Sequence, residues 1–203
     1  MAQITSLSQL DPNGLYSYAD YLSWRLEEAI ELIRGRLLKM SGPSRRHQNI
    51  SWNLTLKIGG HFTGNSCFAY AAPFDVRLPD QRKSALLHKD IHTVVQPDLC
   101  IICDPAKLDD RGCLGAPDLI VEILSPGNAA KEMRLKKDLY EESGVLEYWI
   151  FDPERETVHQ LHLTESGAYS LPRVYINEDV LQSVIFPELR IELAEVFRDR
   201  LME

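Results

Sequence analysis

Apolar residues recur every four positions at Tyr18, Leu22, Leu26 and Ile30, with polar residues between them, which predicts a helix over 16–33. Gly35 is placed to break it, and residues 36–40 read as a short extended piece. A turn at Gly42-Pro43-Ser44, with Ser44 as cap, predicts a second helix over 45–58 that stops at Gly59-Gly60. Residues 68–78 form a strand candidate ending at Pro79, which opens a polar loop to Asp90. Residues 94–103 and 119–124 are then apolar almost throughout, as in strands whose sheet is covered on both faces. The periodicity of Ala129–Ser143 predicts a helix ended by Gly144. Residues 147–151, a turn at Asp152-Pro153-Glu154 and residues 157–163 read as a hairpin, and 189–197 as a short strand with a closing helix. With no internal repeat and no linker, the expectation is one α/β domain over 1–203 built on a mixed sheet flanked by helices.

Three charged residues break this pattern. Glu122 stands in the middle of LIVEIL, where a carboxylate is costly unless it is paired or bound to a cation. Asp98 follows Pro97 inside an apolar run; proline is tolerated at strand starts and edges, so it marks a bend at which Asp98 emerges. A carboxylate that caps backbone amides or pairs with an arginine would satisfy either position alone. Lys136 is the third. At about 100° per residue, Ala129, Met133, Leu135, Leu139 and Tyr140 fill an arc of roughly 160°, and Lys136 and Glu132 fall inside it. A lysine on a buried face either snorkels or reaches an anion. Two carboxylates with an ammonium beside them describe a site for a hard divalent cation. Magnesium takes oxygen ligands and is completed by substrate phosphates, so metal-assisted phosphodiester hydrolysis is the reaction class that suits the trio.

Composition bounds the class. The chain has 203 residues, a formal charge of −8 and no apolar run of the length a membrane helix needs. The amino terminus, MAQITSLSQLD, has neither a basic region nor an apolar core, which predicts no export signal and a cytoplasmic protein. The net charge argues against a general nucleic-acid coat. Its distribution is uneven: from Leu32 to Phe74 there is no acidic residue, while Arg34, Arg36, Lys39, Arg45, Arg46 and Lys57 fall there, with His47 and His61. That is either a solvated run or a phosphate-facing surface, to which Arg34, Arg36, Arg45 and Arg46 would belong.

The segments VVQPDLCIICDPAKLDDRGCLGAPDLIVEILSP, KKDLYEESGVLEYWIFDP and ELIRGRLLKMSGPSRRHQ together resemble the large bacterial family of restriction-endonuclease-like proteins within the PD-(D/E)XK nuclease superfamily. The resemblance spans roughly 18–197. It implies a restriction-endonuclease-like fold and a Mg²⁺-dependent (or Mn²⁺-dependent) endonuclease acting on DNA; action on RNA, or on another phosphate ester, is the alternative substrate class. By position it makes Asp98 the motif aspartate and Glu122 the acid of the second half-motif. The superfamily lysine belongs two residues after that acid, where this chain has Leu124. The family pattern moves it to the following helix and so to Lys136. Glu31 matches the early acid and would be a further metal ligand, with His47 nearby in the pattern. A homodimer is expected if both strands are cut. The displaced lysine and the acidic charge also suit a different function, a non-catalytic nucleic-acid-binding or regulatory protein on the same fold.

Other signals are weaker. Cys100 and Cys103 lie three apart in a strand and so point to opposite faces, which suits core packing and not a zinc or redox site. Asp118 is four strand residues, about 13 Å, from Glu122, too far to share a metal. Ser125-Pro126 reads as a helix start, and Tyr148 and Trp149 as core.

Overall fold

The computed structural model describes residues 3–79, 88–125 and 129–199. In chain order the helices are α1 (Tyr18–Ser23), α2 (Arg45–Phe62), α3 (Ala129–Ser143) and α4 (Leu193–Phe197). The first eight strands are β1 (Ile30–Ile33), β2 (Arg36–Lys39), β3 (Phe68–Ala71), β4 (Val76–Arg77), β5 (Val94–Val95), β6 (Leu99–Ile102), β7 (Leu108–Asp109) and β8 (Gly112–Leu114). The rest are β9 (Leu119–Ile123), β10 (Glu147–Asp152), β11 (Thr157–His162), β12 (Arg173–Ile176), β13 (Val180–Gln182) and β14 (Arg190–Glu192).

The main sheet has the order β12-β11-β10-β9-β6-β3. Only β9 and β10 run parallel in it, and α3 is the crossover that parallel neighbours require. Strand alternation then divides the side chains. Leu119, Val121 and Ile123 join the core beneath α2, made with Ile50, Leu54, Ile58 and Phe62. Ile120 faces the other way, with Tyr148 and Ile150, toward Leu139 and Tyr140 of α3. A second mixed sheet, β2-β1-β5-β4-β8-β7, adds Ile33, Val76 and Val95 to that side.

The two sheets exchange strands at adjacent points. The chain leaves the second sheet at the end of β5, passes through Gln96-Pro97-Asp98 and enters the main sheet at β6. Pro97 has no N–H to continue the ladder, so the continuous strand expected over 94–103 is broken where the proline stands. The strand expected over 68–78 is likewise two strands, β3 in the main sheet and β4 in the second, with a cis Ala72-Pro73 bond between them.

Three further expectations change. The helix over 16–33 is only α1, closed at its start by a capping box between Ser17 and Asp20 and ended by an extended Trp24. Ile30–Ile33 is instead the first arm of a hairpin with β2, Ile33 pairing Arg36. Arg34 and Gly35 both have positive φ, 52° and 81°, the backbone that two-residue hairpins need. α2 does not stop at Gly59-Gly60 but runs on to Phe62, whose buried ring extends the helix's apolar face. Cys100 is buried core, as expected, whereas Cys103 is disulfide-bonded to Cys67 at the paired ends of β6 and β3. Parts of the loop expected over 79–90, the helix start expected at Ser125-Pro126, and the side chains of Ala129 and Glu132 lie outside the described residues.

Candidate active site

The register of β6 against β9 pairs Leu99 with Val121, so the next step of the ladder brings Asp98 opposite Glu122. Asp98 Oδ2 accepts the Ile123 N–H at 2.7 Å, which fixes the carboxylate beside β9. Its Oδ1 lies 3.3 Å from His47 Nε2, in the first turn of α2. Burial lowers the imidazole's proton affinity, but the Asp98 hydrogen bond and charge outweigh it, and the His47 pKa is raised. His47 Nδ1 is buried without a hydrogen-bond partner.

Glu122 points from β9 toward α3. Lys136 Nζ donates to Glu122 Oε1 at 2.9 Å and to Glu31 Oε1 at 3.0 Å. The three side chains are nearly shut from water, Glu31 at 1%, Glu122 at 9% and Lys136 at 4% exposure. Tyr140, one helical turn after Lys136, donates its hydroxyl to Glu122 Oε1 at 2.6 Å. Burial pushes the Glu122 carboxyl upward; Lys136 opposes the shift, while Glu31 and Asp98 add to it. Burial pulls the Lys136 ammonium down, but the two carboxylates outweigh it and hold it protonated. Burial, then Glu122 and Glu31, raise the Tyr140 phenol.

Glu31 reaches this cluster from the second sheet. Its Oε1 also accepts the Gln96 N–H at 2.9 Å, while its Oε2 is buried with no hydrogen-bond partner. The Gln96 side chain in turn donates to Asp75 Oδ1 at 2.8 Å, so the junction that presents Asp98 is tied to β1 on one side and to the β3–β4 crossing on the other.

Glu31, Asp98, Glu122, Lys136 and His47 are therefore brought together. The arginines have other partners. Arg34 pairs with Glu142 at 2.6 Å, and Arg36 donates to the carbonyl of Asn13. Arg45 binds both oxygens of Asp199, and Arg46 pairs with Glu156. Asp118 accepts the Cys103 N–H. Tyr140 and Gln96 are the partners that sequence reasoning passes over. A tyrosine in an apolar arc reads as core, and only its i+4 spacing from Lys136 hints that its hydroxyl meets the same acid.

Chemically, the cluster offers buried carboxylate oxygens around one ammonium. Among the described residues no three acidic, histidine or cysteine groups form a ready-made metal cage. Lys136 lies between Glu31 and Glu122. The donor set nonetheless fits a hard divalent cation: all-oxygen carboxylates, with the unpartnered Glu31 Oε2 among them.

A mixed sheet that carries a Pro-Asp junction, an acid in the neighbouring strand and a lysine from the crossover helix defines a restriction-endonuclease-like fold. A crystal structure described as a putative nuclease belonging to DUF820, from Anabaena variabilis, matches it with a TM-score of 0.69 at 19% identity, over 89% of this chain and 97% of that one. Residues 18–194 match the Uma2 family model, described as "Putative restriction endonuclease", and the chain belongs to that family. An uncharacterized protein of Synechocystis sp., slr1290, is 26% identical over 151 residues, 73% of this chain and 74% of its own length.

Proposed function

We propose that the protein is a metal-dependent endonuclease that hydrolyses phosphodiester bonds in DNA. The observation that carries this reading is the pairing of one buried lysine, Lys136, with Glu31 of β1 and Glu122 of β9, beside the junction that sets Asp98 opposite Glu122. Asp98, Glu122 and Glu31 are the residues that would hold Mg²⁺ or Mn²⁺. When bound, the metal supplies an activated water and offsets negative charge on the phosphoryl oxygen. Within the chain, His47 and the Ile123 N–H keep Asp98 oriented, and Tyr140 fixes Glu122. Lys136 keeps a proton on Nζ and so presents positive charge where the attacked phosphate gains negative charge.

The same lysine favours a second reading. Its ammonium already bonds to both carboxylates, an arrangement that also suits a non-catalytic nucleic-acid binder. The two are separated by incubating supercoiled plasmid, single-stranded DNA and RNA with the purified protein in Mg²⁺, in Mn²⁺ and in EDTA. The nuclease reading expects metal-dependent DNA cleavage that falls at least about 100-fold in Glu122→Gln, as when a single charge-stabilising group is removed. Cleavage that persists in that variant, or no cleavage of DNA by the wild type, would refute it.

A further inference from the structure

Gln96 stands one residue past the end of β5. β4 and β5 pair Val76 with Val95, and the next step of that register sets Asp75 opposite Gln96, where the ladder has ended. Side chains take over there. Gln96 Nε2 donates to Asp75 Oδ1 at 2.8 Å and also lies 3.4 Å from the Tyr21 hydroxyl. Asp75 is fixed from its own side: its carbonyl accepts the Cys113 N–H at 2.9 Å, and the Tyr18 hydroxyl lies 3.5 Å from its Oδ2. Pro97 restricts the residue before it to extended backbone. Gln96 is therefore anchored at its side chain and limited in its main chain.

That restraint matters because of what the Gln96 N–H does. It donates to Glu31 Oε1 at 2.9 Å, and Lys136 Nζ donates to the same oxygen at 3.0 Å. One carboxylate oxygen thus carries two donors, while Oε2, on a side chain with 1% exposure, has none. Buried polar atoms are normally hydrogen-bonded, so the uneven division marks a place for a cation. Without the Gln96 N–H at Oε1, the carboxylate could turn and present both oxygens to Lys136, and no oxygen would be left over. Joining the two sheets does not explain the arrangement. Ile33, Val76 and Val95 of the second sheet already share one core with Ile120, Tyr148 and Ile150 of the main sheet. Burial raises the Asp75 pKa, so a carboxylate is a costly choice for a purely structural tie.

We propose that Asp75 and Gln96 are positioning residues of the metal site: Asp75 anchors the Gln96 side chain, and the Gln96 N–H holds Glu31 so that its Oε2 stays free for the divalent cation. The proposal rests on the metal-site reading above and extends it to two residues that do not themselves hold the cation.

The test is titration of Mn²⁺ alone into the EDTA-treated full chain, with Kd read by isothermal calorimetry and folding checked by circular dichroism and Tm. Gln96→Leu and Asp75→Ala should each raise Kd by about 10–100-fold, the usual effect of removing a hydrogen-bonding partner behind a metal ligand. Asp75→Asn keeps an acceptor for the Gln96 amide and should stay within about threefold of the wild type, below that range. Val76→Ala loosens the same strand pair without touching the Gln96 side chain; it should lower Tm and leave Kd unchanged. Equal weakening by Val76→Ala and Gln96→Leu would mean general loosening and overturn the positioning role. A loss in Asp75→Asn as large as in Asp75→Ala would assign the effect to charge and overturn it too. A wild type that binds Mn²⁺, beside an unchanged Kd in Gln96→Leu and Asp75→Ala, overturns the role and leaves the metal reading standing. A wild type that binds no Mn²⁺ sinks the metal reading itself, and this role with it.

Discussion

Replacing Lys136 with methionine keeps the aliphatic stem and removes the ammonium that joins Glu31 to Glu122. Two charge-assisted hydrogen bonds disappear, at 3.0 and 2.9 Å, and two carboxylates with 1% and 9% exposure are left facing each other. Removing one partner of a buried ion pair costs about 3–5 kcal/mol, because the remaining charge can neither be hydrated nor paired. For a domain of this size each kcal/mol lowers Tm by about 2–4 °C, so the variant should melt about 6–20 °C below the wild type. The measurement is urea and thermal denaturation in EDTA. A second arm adds Mg²⁺, which should raise the Tm of Lys136→Met by more than that of the wild type, since the cation no longer shares Glu31 and Glu122 with the ammonium. A destabilisation below about 1 kcal/mol would refute the reasoning, as would failure of Glu31→Gln to restore part of the stability when added to Lys136→Met, since that change relieves the repulsion left behind.

In the wild type, millimolar Mg²⁺ or Mn²⁺ should raise Tm by binding only the folded state, worth about 2.7 kcal/mol at a hundredfold excess over Kd, and Asp98→Ala should abolish most of that rise in a thermal shift assay. Glu147 is fully buried, and its oxygens accept from Trp149, Gln160, Ser183, Val184 and Ile185; Glu147→Ala leaves those donors unmatched and should cost at least about 3 kcal/mol in urea denaturation. The Cys67–Cys103 bond closes a loop with a sequence separation of 36, so Cys67→Ala with Cys103→Ala should destabilise by about 4 kcal/mol by the loop-entropy relation, read from denaturation without reductant. Gly112 has φ of 119°, and a Cβ there would lie 2.2 Å from the Asp75 carbonyl oxygen; Gly112→Ala should therefore destabilise by more than about 1 kcal/mol, checked by Tm.

The site is legible where charge contradicts pattern. Glu122 and Lys136 each interrupt an apolar face, and Pro97 announces the break at which Asp98 emerges. These signals are local, and the structure keeps them. Family pattern includes Glu31, but periodicity assigns it to the wrong element. The four-residue recurrence from Tyr18 to Ile30 resembles a helix, whereas ELIRGRLLK is a hairpin turned at Arg34-Gly35. A helix would have carried Glu31 with α1; the strand carries it to the Gln96 N–H instead. What stays hidden depends on tertiary neighbours. Cys67 meets Cys103 only because β3 pairs with β6, 36 positions away. The partners of Arg34, Arg45 and Arg46 are acids more than 100 positions distant in the chain. An acid-free stretch of sequence thus says nothing about whether its arginines face acids once folded.

The placement of Lys136 follows from the topology. Leu124, two positions after Glu122, continues the strand direction just as β9 leaves the sheet toward the crossover. A parallel β9–β10 pair obliges that crossover to return over the same face, and so lays α3 across the side from which Glu122 projects. A long side chain on the inner stripe of α3 then reaches Glu122 from the helix. That placement has a structural consequence. Tyr140 lies one turn from Lys136 and binds the same Glu122 oxygen, and Leu139 beside it is buried in the core under the sheet. The position of the ammonium is therefore set by how α3 seats on β9 and β10, not by the strand that carries the acid. In this chain, the packing of a helix and the geometry of the charge cluster are one structural problem.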